Sequence, residues 1–229
     1  VELAHFNQDN AKKYAEGKVD NEVEAWNIWS VLEPNAKMIR EQNKFLITYG
    51  IMNEKGLTGD ISKEELYARL GHVIGHEMSH GFDEYGVLYD KDGQNGNILT
   101  DEDMETLKEK LSKVESYYDG ITVFEGYNCN GKVLSTEAIA DMTGIEVILK
   151  LAEKEENFDY DKFFNAFAQQ AGHISTYEND LYILQNDPHP LSYLRVNAVL
   201  QQQEQFQEFY DVQEGDGMYL APEDRILIW

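Results

Sequence analysis

The segment HVIGHEMSH at residues 72–80 spaces three histidines four residues apart, a pattern that limits both the local structure and the chemistry of the chain. In an α-helix, positions four apart lie on one face and one turn above each other, so two imidazoles can bind one ion. Both His72 with His76 and His76 with His80 satisfy this spacing. The H-E-x-x-H motif decides between them, because Glu77 beside the first ligand can reach metal-bound water. We predict that His76 and His80 bind zinc and that His72 does not.

A catalytic zinc site needs a third protein ligand and one open position. The segment STEAIAD places Glu137 and Asp141 four residues apart on a second predicted helix. One carboxylate of such a pair can bind the ion while the other orients a ligating imidazole. We predict that Glu137 is the third ligand and that Asp141 orients His76. Asp83, just past the first helix, is predicted to orient His80 in the same way.

Helical patterns dominate the rest of the chain. Ser62 with Glu65 forms a capping box before the helix that carries the histidines, and Thr100 with Asp103 forms a second one. A β-branched and aromatic segment predicts one strand. These patterns predict an α+β, helix-dominated fold with a small sheet near the N-terminal third. The predicted strand covers residues 43–52, and further helices are predicted at residues 136–154, 160–175 and 192–210.

Composition excludes several classes of partner. The 229 residues carry a net charge of −24, which argues against nucleic acid and anionic membrane surfaces. No segment approaches the roughly 18 apolar residues of a membrane span, so we expect a soluble chain. The single cysteine, Cys129, excludes an internal disulfide framework. The hydrophobic content of 42% suits one compact unit with a substantial core.

The segment DKDGQNGNILTD at residues 90–101 offers a different metal hypothesis, because it begins like an EF-hand loop. It departs from that pattern at two positions that matter. The sixth is Asn95 where glycine makes the sharp turn, and the twelfth is Asp101 where a bidentate glutamate is needed. We therefore predict a surface turn here.

Four segments together resemble the catalytic domain of the neprilysin family of zinc endopeptidases, whose bacterial members are oligopeptidases. They are VIGHEMSHGFDEYGVLYDKDG, STEAIAD, DPHPLSYLR and MYLAPEDRILIW. Upstream, NAKMIREQNKFLITYGIM resembles the family's edge strand, in which an Asn-Ala pair binds the peptide backbone. The resemblance covers residues 35–229 and implies a thermolysin-like zincin domain.

The resemblance implies the same zinc site, with one Zn²⁺ ion per chain and Glu77 as the catalytic base. It also implies that His189 and Arg195 contact the substrate and that Asp187 orients His189. Asn35 and Ala36 inherit the backbone-binding role of the edge strand.

This chain departs from the family where the resemblance implies a side-chain pocket next to the cleaved bond. His72 stands at a position that is normally apolar, and Gln170 and Ala171 replace apolar or aromatic residues. We therefore expect a more polar pocket.

Two functions follow for the predicted domain. The first is a zinc-dependent endopeptidase that hydrolyses oligopeptides. The alternative is a non-catalytic zinc- or peptide-binding domain of the same fold. Glu77 favours the endopeptidase, since a structural zinc site does not need that carboxylate. We expect residues 1–34 to be part of a junction from a longer chain, in which a helical region caps the active site.

Overall fold

The structure is a computed structural model that describes residues 31–53 and 57–228. Helices dominate these residues, and each of two small sheets is an antiparallel hairpin, which confirms the predicted fold class. The strands are β1 (Ala36–Ile39), β2 (Lys44–Ile47), β3 (Thr122–Phe124) and β4 (Tyr127–Asn128). The helices are α1 (Tyr49–Met52), α2 (Lys63–Leu66, a π-helical turn Tyr67–Gly71, and His72–Ser79), α3 (Asp101–Asp119), α4 (Gly131–Ala152), α5 (Tyr160–Gln170), α6 (Tyr177–Asn186), α7 (Ser192–Leu200) and α8 (Glu204–Phe209).

The centre of the fold is the contact between α2 and α4, which carry the predicted metal ligands. The two backbones touch at a pair of glycines. A Cβ added to Gly75 would lie 2.9 Å from Cα of Gly144, and one added to Gly144 would lie 2.9 Å from N of His76. Since glycine has no Cβ, the helices approach more closely here than other residues would permit. This close approach brings the carboxylates of α4 opposite the imidazoles of α2.

The hydrophobic core surrounds α4, which is buried along most of its length. Each large apolar side chain in such a core contributes about 1.5–3 kcal/mol by leaving water. Two residues near the C-terminus, Ile226 and Ile228, also join this core. The buried side chains that fill it from the surrounding helices include Leu107, Leu111, Val114, Tyr118, Phe163, Phe167, Leu194 and Val199.

The predicted strand at residues 43–52 is wrong in its second half. β2 ends at Ile47, and Tyr49–Met52 is helical. The chain turns at Thr48, whose N–H and hydroxyl both bond to the carbonyl of Asn35. Gly50 then lies directly against the backbone at Glu33, where a Cβ would come within 2.5 Å. The β-branched and aromatic composition does not reveal this tertiary contact.

Helix existence was predicted better than helix ends. The helix predicted at residues 136–154 begins earlier, at Gly131, where Asn130 caps it. The helix predicted at 160–175 stops at Gln170. The helix predicted at 192–210 is interrupted between Leu200 and Glu204, where the side chain of Gln202 accepts a hydrogen bond from the N–H of Ile226.

The β3–β4 hairpin and helix α6 were not predicted from the sequence. The hairpin of β3 and β4 is short, and α6 contains no buried residue, so neither has a strong apolar pattern. In contrast, the loop at residues 90–97 is the predicted surface turn, because Asp90 accepts from the N–H groups of Asp92 and Gln94.

None of the helices in the described ranges combines the length and apolar character that a bilayer crossing requires. The predicted junction at residues 1–34 lies outside the described residues, apart from residues 31–34.

Candidate metal centre

The predicted ligands meet at one point between α2 and α4. Nε2 of His76 lies 3.3 Å from Nε2 of His80. Oε2 of Glu137 lies 3.3 Å from the first of these nitrogens and 3.5 Å from the second. His80 is the residue that ends α2, and it lies one helical turn beyond His76. Three potential ligand atoms from two helices therefore form a nearly equilateral triangle.

Asp141 fixes the orientation of His76. Its Oδ1 lies 2.8 Å from Nδ1 of His76, so Nδ1 carries the proton and Nε2 faces Glu137. Asp141 is fully buried. Arg195 compensates this charge, because its Nε and Nη2 donate to the two carboxylate oxygens at 2.8 and 2.7 Å. Burial raises the pKa of Asp141, but Arg195 and His76 outweigh it and hold that pKa well below its usual range.

Asp83 fixes the orientation of His80. Its Oδ2 lies 2.9 Å from Nδ1 of His80, and its Oδ1 accepts from the N–H groups of Tyr85 and Gly86. Arg40 adds a salt bridge to Oδ2 and donates from Nε to the carbonyl of His80. Both imidazoles on α2 therefore present Nε2 to the same point, while Nδ1 is held by an ionised carboxylate.

The donor set fits a tetrahedral zinc ion. Ligand atoms at about 2.0–2.1 Å from such an ion are separated by about 3.3–3.4 Å, close to the three distances observed. Oε2 of Glu137 is buried and has no well-aligned hydrogen-bond donor among the described residues. A cation between these atoms would satisfy that oxygen and both imidazole lone pairs. His76, His80 and Glu137 are also a group whose donor atoms all lie within 4.8 Å of one another.

The charges that meet at this site shift the pKa values of the proposed ligands. Burial lowers the pKa of His76, but its contacts with Asp141 and Glu137 dominate and raise it to about 9. Burial raises the pKa of Glu137, but His189, His76 and His80 together hold it far below its usual range. Glu137 is therefore ionised at neutral pH, as a metal ligand must be.

Glu77 lies between the ligands and the edge of β1. Its side chain is buried, and the backbone of Met38 favours the charged form of its carboxylate. Burial raises the pKa of Glu77, although the neighbouring His76 and His80 oppose the shift. A carboxylate with a raised pKa is a stronger base than one in water.

A cleft of about 420 Å³ opens onto Glu77 and His76. Asn35, which precedes β1, and Ala36, the first residue of β1, also line this cleft. The N–H of Ala36 donates to Oδ1 of Asn35, and the backbone of Asn35 is held by Thr48. The structure thus brings the predicted backbone-binding pair to the same cleft as the predicted base.

His189 and Arg195 line the same cleft. Nε2 of His189 lies 3.2 Å from Oε2 of Glu137, and Nδ1 lies 2.7 Å from Oδ1 of Asp187. The contact with Glu137 raises the pKa of His189. Arg195 lines the cleft while its Nε and Nη2 are held by Asp141. Its role in the structure is therefore broader than the substrate contact predicted from sequence.

Sequence reasoning did not identify Arg40, Met38 or the Gly75–Gly144 contact. Arg40 reaches Asp83 from a position 43 residues earlier, and no local pattern links the two. Met38 contributes only a backbone group, which any residue type carries. The glycine pair leaves a weak signal, since each glycine interrupts an otherwise helical pattern.

Comparison with known proteins identifies related sequences. The sequence model described as "Peptidase family M13" matches residues 35–226. A neutral endopeptidase of Lactococcus lactis subsp. lactis is 34% identical over 195 residues, which are 85% of this chain and 31% of that protein. A neutral endopeptidase of Lactobacillus helveticus is 32% identical and is covered to 30%. The chain therefore spans about a third of the length of these relatives.

Solved structures show the same fold. PEPO from Lactobacillus rhamnosis HN001 superposes with a TM-score of 0.81 at 29% identity, covering 89% of this chain and 32% of that one. The zinc metalloprotease ZMP1 of Mycobacterium tuberculosis, solved with an inhibitor, gives a TM-score of 0.82 at 24% identity. That match covers 92% of this chain and 34% of that one, and at this identity it supports the fold alone.

Proposed function

This chain belongs to peptidase family M13, and we propose that its residues 35–229 form the catalytic domain of a zinc-dependent endopeptidase that hydrolyses oligopeptides. His76, His80 and Glu137 hold one zinc ion, and Glu77 is the catalytic base. The observation that carries this proposal is the triangle of ligand atoms, with Glu77 next to His76 in sequence and both of these residues at one cleft.

The chemistry divides between the ion and the protein. When bound, zinc supplies a Lewis acid that polarises the scissile carbonyl and acidifies water. Glu77 accepts the proton of the attacking water and later passes it to the leaving amine. Its raised pKa makes Glu77 a stronger base for the first of these transfers. Glu77 also lines the cleft.

His189 stabilises the negative charge that develops on the carbonyl oxygen. Its Nε2 lies beside the proposed ligand Glu137, and Asp187 holds its ring through Nδ1, which leaves Nε2 to donate. A single donor of this kind contributes about 3 kcal/mol to transition-state stability. Arg195 supports the same wall: two of its five N–H groups hold Asp141, and the others remain for a substrate oxygen.

The substrate lies along β1 as an added strand. β2 pairs with one edge of β1, and in the described residues no strand pairs with the other edge, which borders the cleft at Ala36. A peptide that adds to a free edge gains main-chain hydrogen bonds whatever its sequence. The side-chain amide of Asn35 supplies one further backbone contact. In a longer protein, a helical region covers the peptide from the opposite side.

Substitution of Glu77 by Gln tests this function. Glutamine keeps the size of the side chain but is not a base, so peptide hydrolysis should fall by at least about 10³-fold while zinc content stays at one ion per chain. Mass spectrometry of peptide digests and elemental analysis measure the two quantities. Glu109→Gln, on the exposed face of α3, is the matched control and should leave both unchanged.

The same experiment distinguishes the endopeptidase from the alternative function. A non-catalytic zinc- or peptide-binding domain would bind zinc and peptide in both forms, and neither the unsubstituted protein nor the Glu77→Gln variant would release fragments. Hydrolysis that survives Glu77→Gln would contradict the assigned base. Hydrolysis that survives complete chelation of zinc would contradict the metal mechanism.

A further inference from the structure

One part of the cleft lining contains two polar atoms without partners. We call this the polar pocket and define it by His72, Phe167, Gln170 and Ala171, which all line the cleft. Nε2 of His72 and Oε1 of Gln170 are buried, and neither has a hydrogen-bond partner among the described residues. Buried polar atoms are nearly always paired in native proteins, so an unpaired set at a binding cleft points to a ligand.

The ring of His72 packs against Phe167. The contact is edge-on, with centroids 4.9 Å apart and an interplanar angle of 82°. Nε2 of His72 lies 3.9 Å from Oδ1 of Asp141, which is too long for a hydrogen bond.

The two unpaired atoms differ in what they offer a ligand. Oε1 of Gln170 is an acceptor, and an imidazole nitrogen donates or accepts according to its tautomer. A ligand group that carries both a donor and an acceptor can therefore pair with both atoms. Amides and hydroxyls are groups of this kind.

We propose that the polar pocket selects a substrate side chain carrying an amide or hydroxyl donor beside the scissile bond, with His72 as the residue that determines this selectivity. The inference rests on the proposed endopeptidase function and specifies its substrate class. An apolar side chain of the same shape leaves both polar atoms unpaired when it excludes water, so it is discriminated against by hydrogen bonding and not by size.

Two pairs of isosteric residues test the proposal. A series of fluorogenic peptides is identical except for Asn, Leu, Thr, Val or Ala at one position beside the cleaved bond, and each is digested by the zinc-loaded full chain. We expect kcat/KM to favour Asn over Leu, and Thr over Val, by about 10- to 100-fold. His72→Leu should abolish or reverse both ratios, and Gln170→Met should reduce them. Equal or inverted ratios in the unsubstituted protein would overturn the proposal.

Two controls make the result specific. Gln169→Met, on the exposed side of α5 and outside the cleft, should leave the ratios as they are. Zinc content and thermal unfolding of His72→Leu establish that it is folded and loaded. Should that variant not fold, Gln170→Met decides the outcome, and unchanged ratios there would contradict the role of the pocket.

Binding to the Glu77→Gln variant separates this inference from the proposed function. That variant keeps the pocket and does not consume the peptides, so their dissociation constants report recognition alone. A preference for Asn over Leu in binding, without hydrolysis by the unsubstituted protein, would refute the endopeptidase and retain the pocket. Hydrolysis of the Ala peptide without any Asn or Thr preference would retain the endopeptidase and refute the pocket.

Discussion

At the scale of single residues, the site is a set of imidazoles whose Nδ1 atoms are held by carboxylates. Asp141 holds His76, Asp83 holds His80, and Asp187 holds His189 outside the ligand triangle. Such partners fix the ring and increase the basicity of the free nitrogen. Arginines hold the two carboxylates that orient the proposed ligands, with Arg195 on Asp141 and Arg40 on Asp83.

Asp141→Asn should weaken zinc binding by about 10- to 100-fold, because His76 loses an ionised partner. It should also destabilise the protein by about 1–3 kcal/mol, since Arg195 keeps its charge in a partly buried position without this counter-ion. Competition with a fluorescent chelator measures the affinity, and urea denaturation measures the free energy of unfolding.

Asp187→Asn is the matched control for that substitution. It changes the partner of His189, which is not a proposed ligand, so zinc affinity should stay within about 2-fold while peptide hydrolysis falls. An equal loss of zinc affinity in the two variants would show that His189 belongs to the ligand set.

At the scale of elements, the site depends on how closely α2 and α4 approach each other. The H-E-x-x-H spacing and the Glu137–Asp141 spacing are each local to one helix, so sequence alone predicted both. The contact that joins the two helices depends on Gly75 and Gly144, and on the angle at which the helices cross. The periodicity of one segment reports neither property. A candidate ligand set could therefore be proposed from the sequence, whereas the helix contact that brings its members together could not be predicted.

Gly144→Ala should push α4 away from α2, because the added Cβ would meet N of His76 at 2.9 Å and O of His72 at 3.0 Å. Overpacking of this kind costs about 1–3 kcal/mol of stability, and zinc affinity should fall with it. Thermal unfolding with and without zinc measures both effects.

Gly217→Ala provides the comparison, since no atom lies within 4 Å of the added Cβ and the residue is outside the helices. Its stability should change by less than about 0.5 kcal/mol. A similar small effect at Gly144 would mean that the helices do not depend on glycine for their separation.

At the scale of the whole molecule, the segment at residues 226–228 packs into the core and is hydrogen-bonded to it. Ile228 is fully buried, its carbonyl accepts from Lys110 of α3, and the N–H of Ile226 bonds to the buried side chain of Gln202. α3 also packs along α4, so the segment supports the helix that carries Glu137 and Asp141. The resemblance to the neprilysin family includes this segment, but only the structure shows that its residues alternate between buried and exposed positions.

Ile228→Ala should destabilise the protein by about 2–5 kcal/mol, the usual cost of a cavity in a packed core. Leu227→Ala is the adjacent control and should have little effect, because Leu227 is 62% exposed. Urea denaturation of both variants measures the difference. Equal destabilisation would contradict the inward orientation of Ile228.

Anomalous diffraction at the zinc absorption edge, from crystals of the zinc-loaded protein, tests whether one zinc ion lies between His76, His80 and Glu137. We expect one strong peak per chain, at about 2.0–2.2 Å from Nε2 of His76, Nε2 of His80 and a carboxylate oxygen of Glu137. A peak elsewhere, or Glu137 outside coordination distance of the ion, would contradict the proposed zinc site.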